Sequence, residues 1–180
     1  MSESKKGLAS LGIPEPSDVA ALLPGQARLA AGPVAIIECF QEIPCDPCSA
    51  ACPQGAISPF AHVCDLPEVD HGLCNGCGVC VARCPGLAIF VVDLSGDGPT
   101  GTVQIPYEYL PLPQVGEEVW AVDRHGAVLG PAKVISSRRP RAFDRTALVT
   151  FELPRQQVMA ARGLRLKRTC SQERGGGDHA

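Results

Sequence analysis

A chain of 180 residues with 19 Gly, 17 Pro and only 4% aromatic residues favours turns and short strands over long helices, which excludes a helical bundle. The formal net charge of -3 conceals an asymmetry: residues 1–123 carry 15 Asp and Glu against 4 Lys and Arg, a net of -11, whereas residues 124–180 carry 4 against 12, a net of +8. No apolar run approaches the roughly 18 to 20 residues of a membrane span, and MSESKKGLAS lacks the apolar core of a secretory signal. A cytoplasmic location is therefore expected, where thiols stay reduced, so the ten cysteines point to metal ligation rather than disulfides.

In chain order, Ser17 is placed to cap a short helix through DVAALL, which Pro24 and Gly25 end. GPVAIIEC at 32–39 is a compact β-branched run and predicts a strand that delivers the chain to the first cysteines. An internal repeat follows: CDPCSAACPQGAI (45–57) aligns with CGVCVARCPGLAI (77–89) at a constant offset of 32 residues, superposing Cys45 on Cys77, Cys48 on Cys80 and Cys52 on Cys84. Such a duplication predicts two similar halves related by an approximate two-fold, each starting a strand after its Cys-Pro. SGDGPTG at 95–101 is a turn cluster, across which TVQI should pair back on IFVVD as a hairpin. PYEYLPLPQVGEE is too rich in proline for regular structure and reads as a linker. Beyond it EVWAVD, AVLGPAKVIS and ALVTFEL predict three or four strands of a small antiparallel barrel or meander, and the last residues predict a disordered tail.

The second copy reads Cys74-x2-Cys77-x2-Cys80-x3-Cys84-Pro85. Three cysteines at intervals of three on a tight loop can cap three irons of one cubane, while the fourth points to a different cluster. Gly76 and Gly78 let the backbone curl where a Cβ would crowd the sulfides. A zinc knuckle is the plain alternative, but it has no use for a third cysteine at the same spacing or for a proline after a fourth.

This pattern resembles the two-cluster bacterial ferredoxins over roughly residues 34 to 93. The resemblance implies that Cys74, Cys77 and Cys80 with Cys52 hold one 4Fe-4S cluster, and that Cys45, Cys48 and Cys84 hold part of another. The family motif would put the missing ligand at position 42, which is Glu42. Cys39, three residues further upstream, is the expected replacement if FQEIP bulges outward. Cys64 folding back, ligation by the hard oxygen of Glu42, and a three-iron cluster stay open as alternatives. Cys64 is then the spare thiol and Cys170 an incidental one, and the four histidines show no metal-site spacing. Glu38, Glu42 and Asp46 flank the first loop, so its cluster should have the lower potential.

Further along, GPVAIIECFQEIPCDPCSAACP, CPGLAIFVVD, PYEYLPLP and FDRTALVTFELP resemble small two-cluster subunits that accompany flavin-dependent dehydrogenases of the amino-acid and opine oxidase type. The reading is an α+β chain in five parts: an extension with a short helix (1–32), a two-cluster ferredoxin-like domain (33–105), a Pro-rich linker (106–118), a small β-barrel-like docking domain (119–168) and a tail (169–180). The resemblance implies FAD-dependent dehydrogenase partners acting on proline, hydroxyproline, glycine or an opine. No phosphate-cradling glycine loop, nucleophile elbow or paired-histidine motif suggests a catalytic set of its own. The basic half contains Arg138, Arg139, Arg141 and Arg145, yet only Phe143 and Phe151 are aromatic beyond residue 124, so a nucleic-acid partner is not expected. A free ferredoxin and an iron-sulfur sensor that binds nucleic acid are the rival readings.

Overall fold

In the computed structural model the described residues are 8, 11–143 and 146–167. The expected tail with Cys170, and Arg145 of the basic loop, lie outside them.

Seven strands form one antiparallel sheet: β1 (Val34–Ile37), β2 (Ile89–Asp93), β3 (Thr100–Tyr107), β4 (Glu118–Val122), β5 (Val128–Arg138), β6 (Ala147–Pro154) and β7 (Gly163–Leu166), in the order β1-β2-β3-β6-β5-β4-β7. The β2–β3 hairpin has the register Val91↔Gln104, Val92↔Val103 and Asp93↔Thr102. β3 then pairs with β6 from Thr100↔Pro154 to Tyr107↔Ala147, so the ladder continues from the first cysteine-bearing half into the basic half.

The sheet is open, and the expected barrel is not formed. Closing it would require a ladder between the edge strands β1 and β7, and instead side chains bridge them. Glu38, the residue after β1, accepts hydrogen bonds from Arg162, the residue before β7, at 2.8 Å and from Arg124 in the turn after β4. The Arg162 guanidinium also lies 4.8 Å from the centre of the Phe90 ring. Four residues in each edge strand are too few to offer a long rim for pairing.

Alternation along the strands divides the apolar residues between two layers, because successive side chains leave a strand on opposite faces. Val34, Ile36, Phe90, Val92, Val149 and Phe151 enter the larger core within the curl of the sheet. Ala35, Ile37, Ile89, Val91 and Leu148 face the other way, onto the cysteine loops. β1 and β2 are thus covered on both faces, which is why VAII and IFVV are uninterrupted apolar runs rather than alternating ones.

Four short α-helices can be bounded among the described residues. In α1 (Pro16–Ala20) the cap is Glu15, whose N–H donates to the Asp18 carboxylate at 3.0 Å, so Ser17 lies inside the helix and not at its cap. α2 (Gln26–Ala31) was not marked by the sequence pattern and buries Leu29 against the core. α3 (Pro47–Ala51) and α4 (Val79–Arg83) start and end at equivalent positions of the 32-residue repeat, and their C-caps, Cys52 and Cys84, have φ/ψ of -73/109 and -76/110 degrees. After α4 the chain enters β2, as expected. After α3 it makes only one bridge, Ile57↔Val69, because Pro59 and Pro67 remove the donors that would extend a ladder.

Candidate iron-sulfur site

Eight of the nine cysteines among the described residues fall into two groups of four. Cys52, Cys74, Cys77 and Cys80 line one concavity of about 360 Å³, together with Ala35 and Ile57. Cys39, Cys45, Cys48 and Cys84 line a second of about 380 Å³, together with Ile37 and Ile89. In each group three thiols come from one copy of the repeat and its approach, and the fourth, Cys52 or Cys84, comes from the C-cap of the other copy's helix. The equivalent backbone angles at these two caps send each fourth thiol across the junction of α3 and α4.

Glu42 and Cys64 stand apart from both groups. They border a broader surface depression with Ser58, Pro59, Asp65 and Glu68. FQEIP makes the outward bulge that brings Cys39 in: Gln41, Glu42, Ile43 and Pro44 are exposed, and Ile43 turns across the mouth of the second concavity.

Electrostatics distinguish a place for a cluster from an ordinary apolar pocket. Burial first, and then charge on Cys74, Cys77 and Cys52, pushes the Cys80 thiol up to about 12. Burial likewise pushes Cys48 up to about 11, with Cys84 and Cys45 adding to it. Cys39 and Cys45 are raised by burial first and then by Cys84. Four thiolates held together in an apolar setting repel one another and need a cationic core between them, so the donor set fits a group that supplies several irons. Thiolate sulfur is also the soft donor that iron-sulfur clusters take.

Surrounding groups fix the second copy's loop. Arg28 of α2 donates to the carbonyl oxygens of His71 and Cys74, both at 2.6 Å, and to those of Gly32 and Pro33, both at 3.0 Å. The Ala35 N–H points to Cys74 Sγ at 3.4 Å, and the Ala88 N–H to Cys84 Sγ at 3.4 Å. Gly76 and Gly78 have φ of 68 and 81 degrees. The crowding that excludes a side chain there comes from the fold: a Cβ on Gly76 would lie 2.5 Å from Pro33, and one on Gly78 would lie 2.1 Å from Gln104 Oε1. The first copy is held by Ser49, whose hydroxyl donates to the Ser58 carbonyl at 2.9 Å, and by the Cys45 N–H to the Val63 carbonyl at 2.9 Å.

Sequence reasoning missed Arg28, Gln104, Arg124 and Arg162. Arg28 alone left a signal, as one of four basic residues in the acidic 123-residue half. Glu38 needs a correction: the two arginines offset its charge, so it does not place uncompensated negative charge beside the first loop. Although burial alone would raise it, the hydrogen bonds from Arg124 and Arg162 hold its carboxyl below the ordinary value. Of the three acidic residues expected to act there, Asp46 is the one whose charge reaches a thiol, raising Cys45.

Comparison with known proteins agrees on the class. A sequence family described as "4Fe-4S binding domain" matches residues 67–90, which include Cys74, Cys77, Cys80 and Cys84. The chain therefore carries a ferredoxin-type 4Fe-4S domain within a mixed helix and antiparallel-sheet fold. Among characterised proteins it is similar to pyruvate synthase subunit PorD of Methanothermobacter marburgensis, with 43% identity over 47 residues, 26% of this chain and 51% of that protein. The chain thus spans about half the length of this relative. No solved structure matches. Among the described residues no helix is long and apolar enough to cross a membrane.

Proposed function

We propose that this chain is an electron-transfer subunit with two 4Fe-4S clusters, one held by Cys39, Cys45, Cys48 and Cys84 and the other by Cys52, Cys74, Cys77 and Cys80. The observation that carries the reading is the division of eight thiols into two groups of four around two concavities. When bound, such clusters store and pass single electrons. The chain's own work is to hold each set of four thiols, exclude water with Ile37, Ile57 and Ile89, and brace the loops through Arg28 and Ser49. Exchange of Cys52 and Cys84 between the copies makes each set depend on both halves, so the two sites should assemble together.

In this reading residues 33–105 conduct and residues 119–168 attach to a partner, with 106–118 joining them and 1–32 bracing the second loop through Arg28. The partner is a flavin-dependent dehydrogenase of the amino-acid or opine type, in a reducing, cytoplasmic setting. The PYEYLPLP segment supports a docking role, because Tyr109 and Leu110 are 75% and 78% exposed. Similarity to a pyruvate synthase subunit favours a second choice of partner, a 2-oxoacid-oxidising complex.

Anaerobic purification of the native complex, with iron and sulfide analysis and identification of the co-purifying chains, tests the proposal. About eight irons and eight sulfides per chain and a flavin-containing partner are expected. About four irons, or zinc, would overturn the two-cluster reading. A flavin-free partner that oxidises pyruvate would replace the dehydrogenase, and an isolated monomer or salt-sensitive binding to DNA would replace the subunit reading altogether.

A further inference from the structure

Gln104 is a buried polar residue, 8% exposed in the middle of β3. It lies on the face of the sheet that meets the cysteine loops, between Val91 of β2 and Thr150 of β6. A carboxamide in such a layer costs on the order of 1–3 kcal/mol for each polar atom left without a partner. Its Nε2 is 3.1 Å from Thr150 Oγ1, while its Oε1 has no hydrogen-bond partner. That oxygen occupies the space a Cβ on Gly78 would fill, and Gly78 lines the concavity of Cys52, Cys74, Cys77 and Cys80.

The two ends of a carboxamide exchange by a half-turn about its last bond, and the hydroxyl of Thr150 can either accept or donate. With the amide turned over, the Thr150 hydroxyl donates to Oε1 and the Nε2 amine faces the Gly78 loop. Both ends are then satisfied, provided that the loop presents an acceptor. Cysteine or inorganic sulfur of a cluster is the acceptor this concavity would contain. Glycine at position 78 is what allows the approach.

We propose that Gln104 is a positioning and tuning residue for the second cluster alone, donating an N–H···S hydrogen bond from β3 through the gap at Gly78. The inference rests on the two-cluster reading. A donor to cluster sulfur stabilises the more negative, reduced state, so Gln104 raises that cluster's potential. In the first copy Asp46 occupies the position of Gly78 and places an acceptor-only carboxylate beside Cys45.

The test is an EPR-monitored redox titration of the full-length, anaerobically purified protein, with both clusters followed separately. Gln104→Leu should shift the second cluster's reduction equilibrium about tenfold toward the oxidised form, equivalent to about 59 mV for one electron. Gln104→Glu, close in shape but without the donor and carrying negative charge, should shift it further in the same direction. The first cluster should not move. If Gln104→Leu fails to load, Gln104→Glu decides the question. With iron and sulfide near eight per chain, a second-cluster potential within twofold of wild type in the loaded variants overturns the proposal, as does an equal shift of both clusters. Wild-type protein lacking iron would instead overturn the two-cluster reading beneath it.

Discussion

The two copies of the repeat have the same thiol spacing and equivalent helices, but different surroundings. The second loop lies against the sheet, with Gly78 buried, Pro33 and Gln104 filling the space over its glycines, and Arg28 gathering four carbonyl oxygens around it. The first loop lies toward the surface, with its bulge exposed and its leading thiol drawn from the end of β1. The thiol spacing is thus the same in the two groups, while the packing around each one differs.

Replacing thiols should affect the comparison most. Cys39→Ala should cost the first site an iron or its whole cluster, whereas Cys64→Ala should leave iron content unchanged, since Cys64 lines neither concavity. Iron and sulfide analysis of the two variants checks this, and equal loss in both would refute the role given to Cys39.

Next in size is Glu38→Gln. It leaves the guanidiniums of Arg124 and Arg162 partly or wholly buried without their carboxylate, at a cost of about 3–5 kcal/mol. The pH dependence has a definite sign. The folded-state pKa of Glu38 lies below its ordinary value of 4.5, so its stabilisation is complete above that value and is lost as pH falls through the lower folded-state value. Urea midpoints measured across the acidic range should therefore fall for the wild type, and the Glu38→Gln protein should lack this part of the decline.

Smaller effects separate equivalent backbone positions. Gly78→Ala should cost about 1–3 kcal/mol, because the Cβ meets Gln104 and φ is positive. Asp46→Ala, at the matching site with φ of -135 degrees and no side-chain cap bond, should change stability by less than about 0.5 kcal/mol. Gly55 and Leu87 also match, at φ of 60 and 52 degrees, so Leu87→Gly should stabilise by about 0.5–1 kcal/mol once relief of left-handed strain is set against glycine's chain entropy. Thermal midpoints of the three variants would show whether the copies differ as their surroundings require.

Much of this arrangement was legible locally. Repeated Cys-Pro positions, the bulge ahead of Cys45, the IFVVD–TVQI hairpin and the β-rich second half all follow from spacing, turn residues and alternation, which act between neighbours in the chain. The edges of the sheet were not legible, because an ion pair between residues 38 and 162 leaves no mark on either segment.

By itself, the sequence determined the thiol spacing and its repetition, since spacing and tight-loop geometry depend on residues a few positions apart. Only the tertiary structure decided that Cys39 lies with Cys45, Cys48 and Cys84, that Glu38 is neutralised by two arginines, that the sheet stays open, and that Gln104 abuts the second loop. Each of these depends on contacts between distant segments, whose energies come from burial and compensated charge rather than from local propensity.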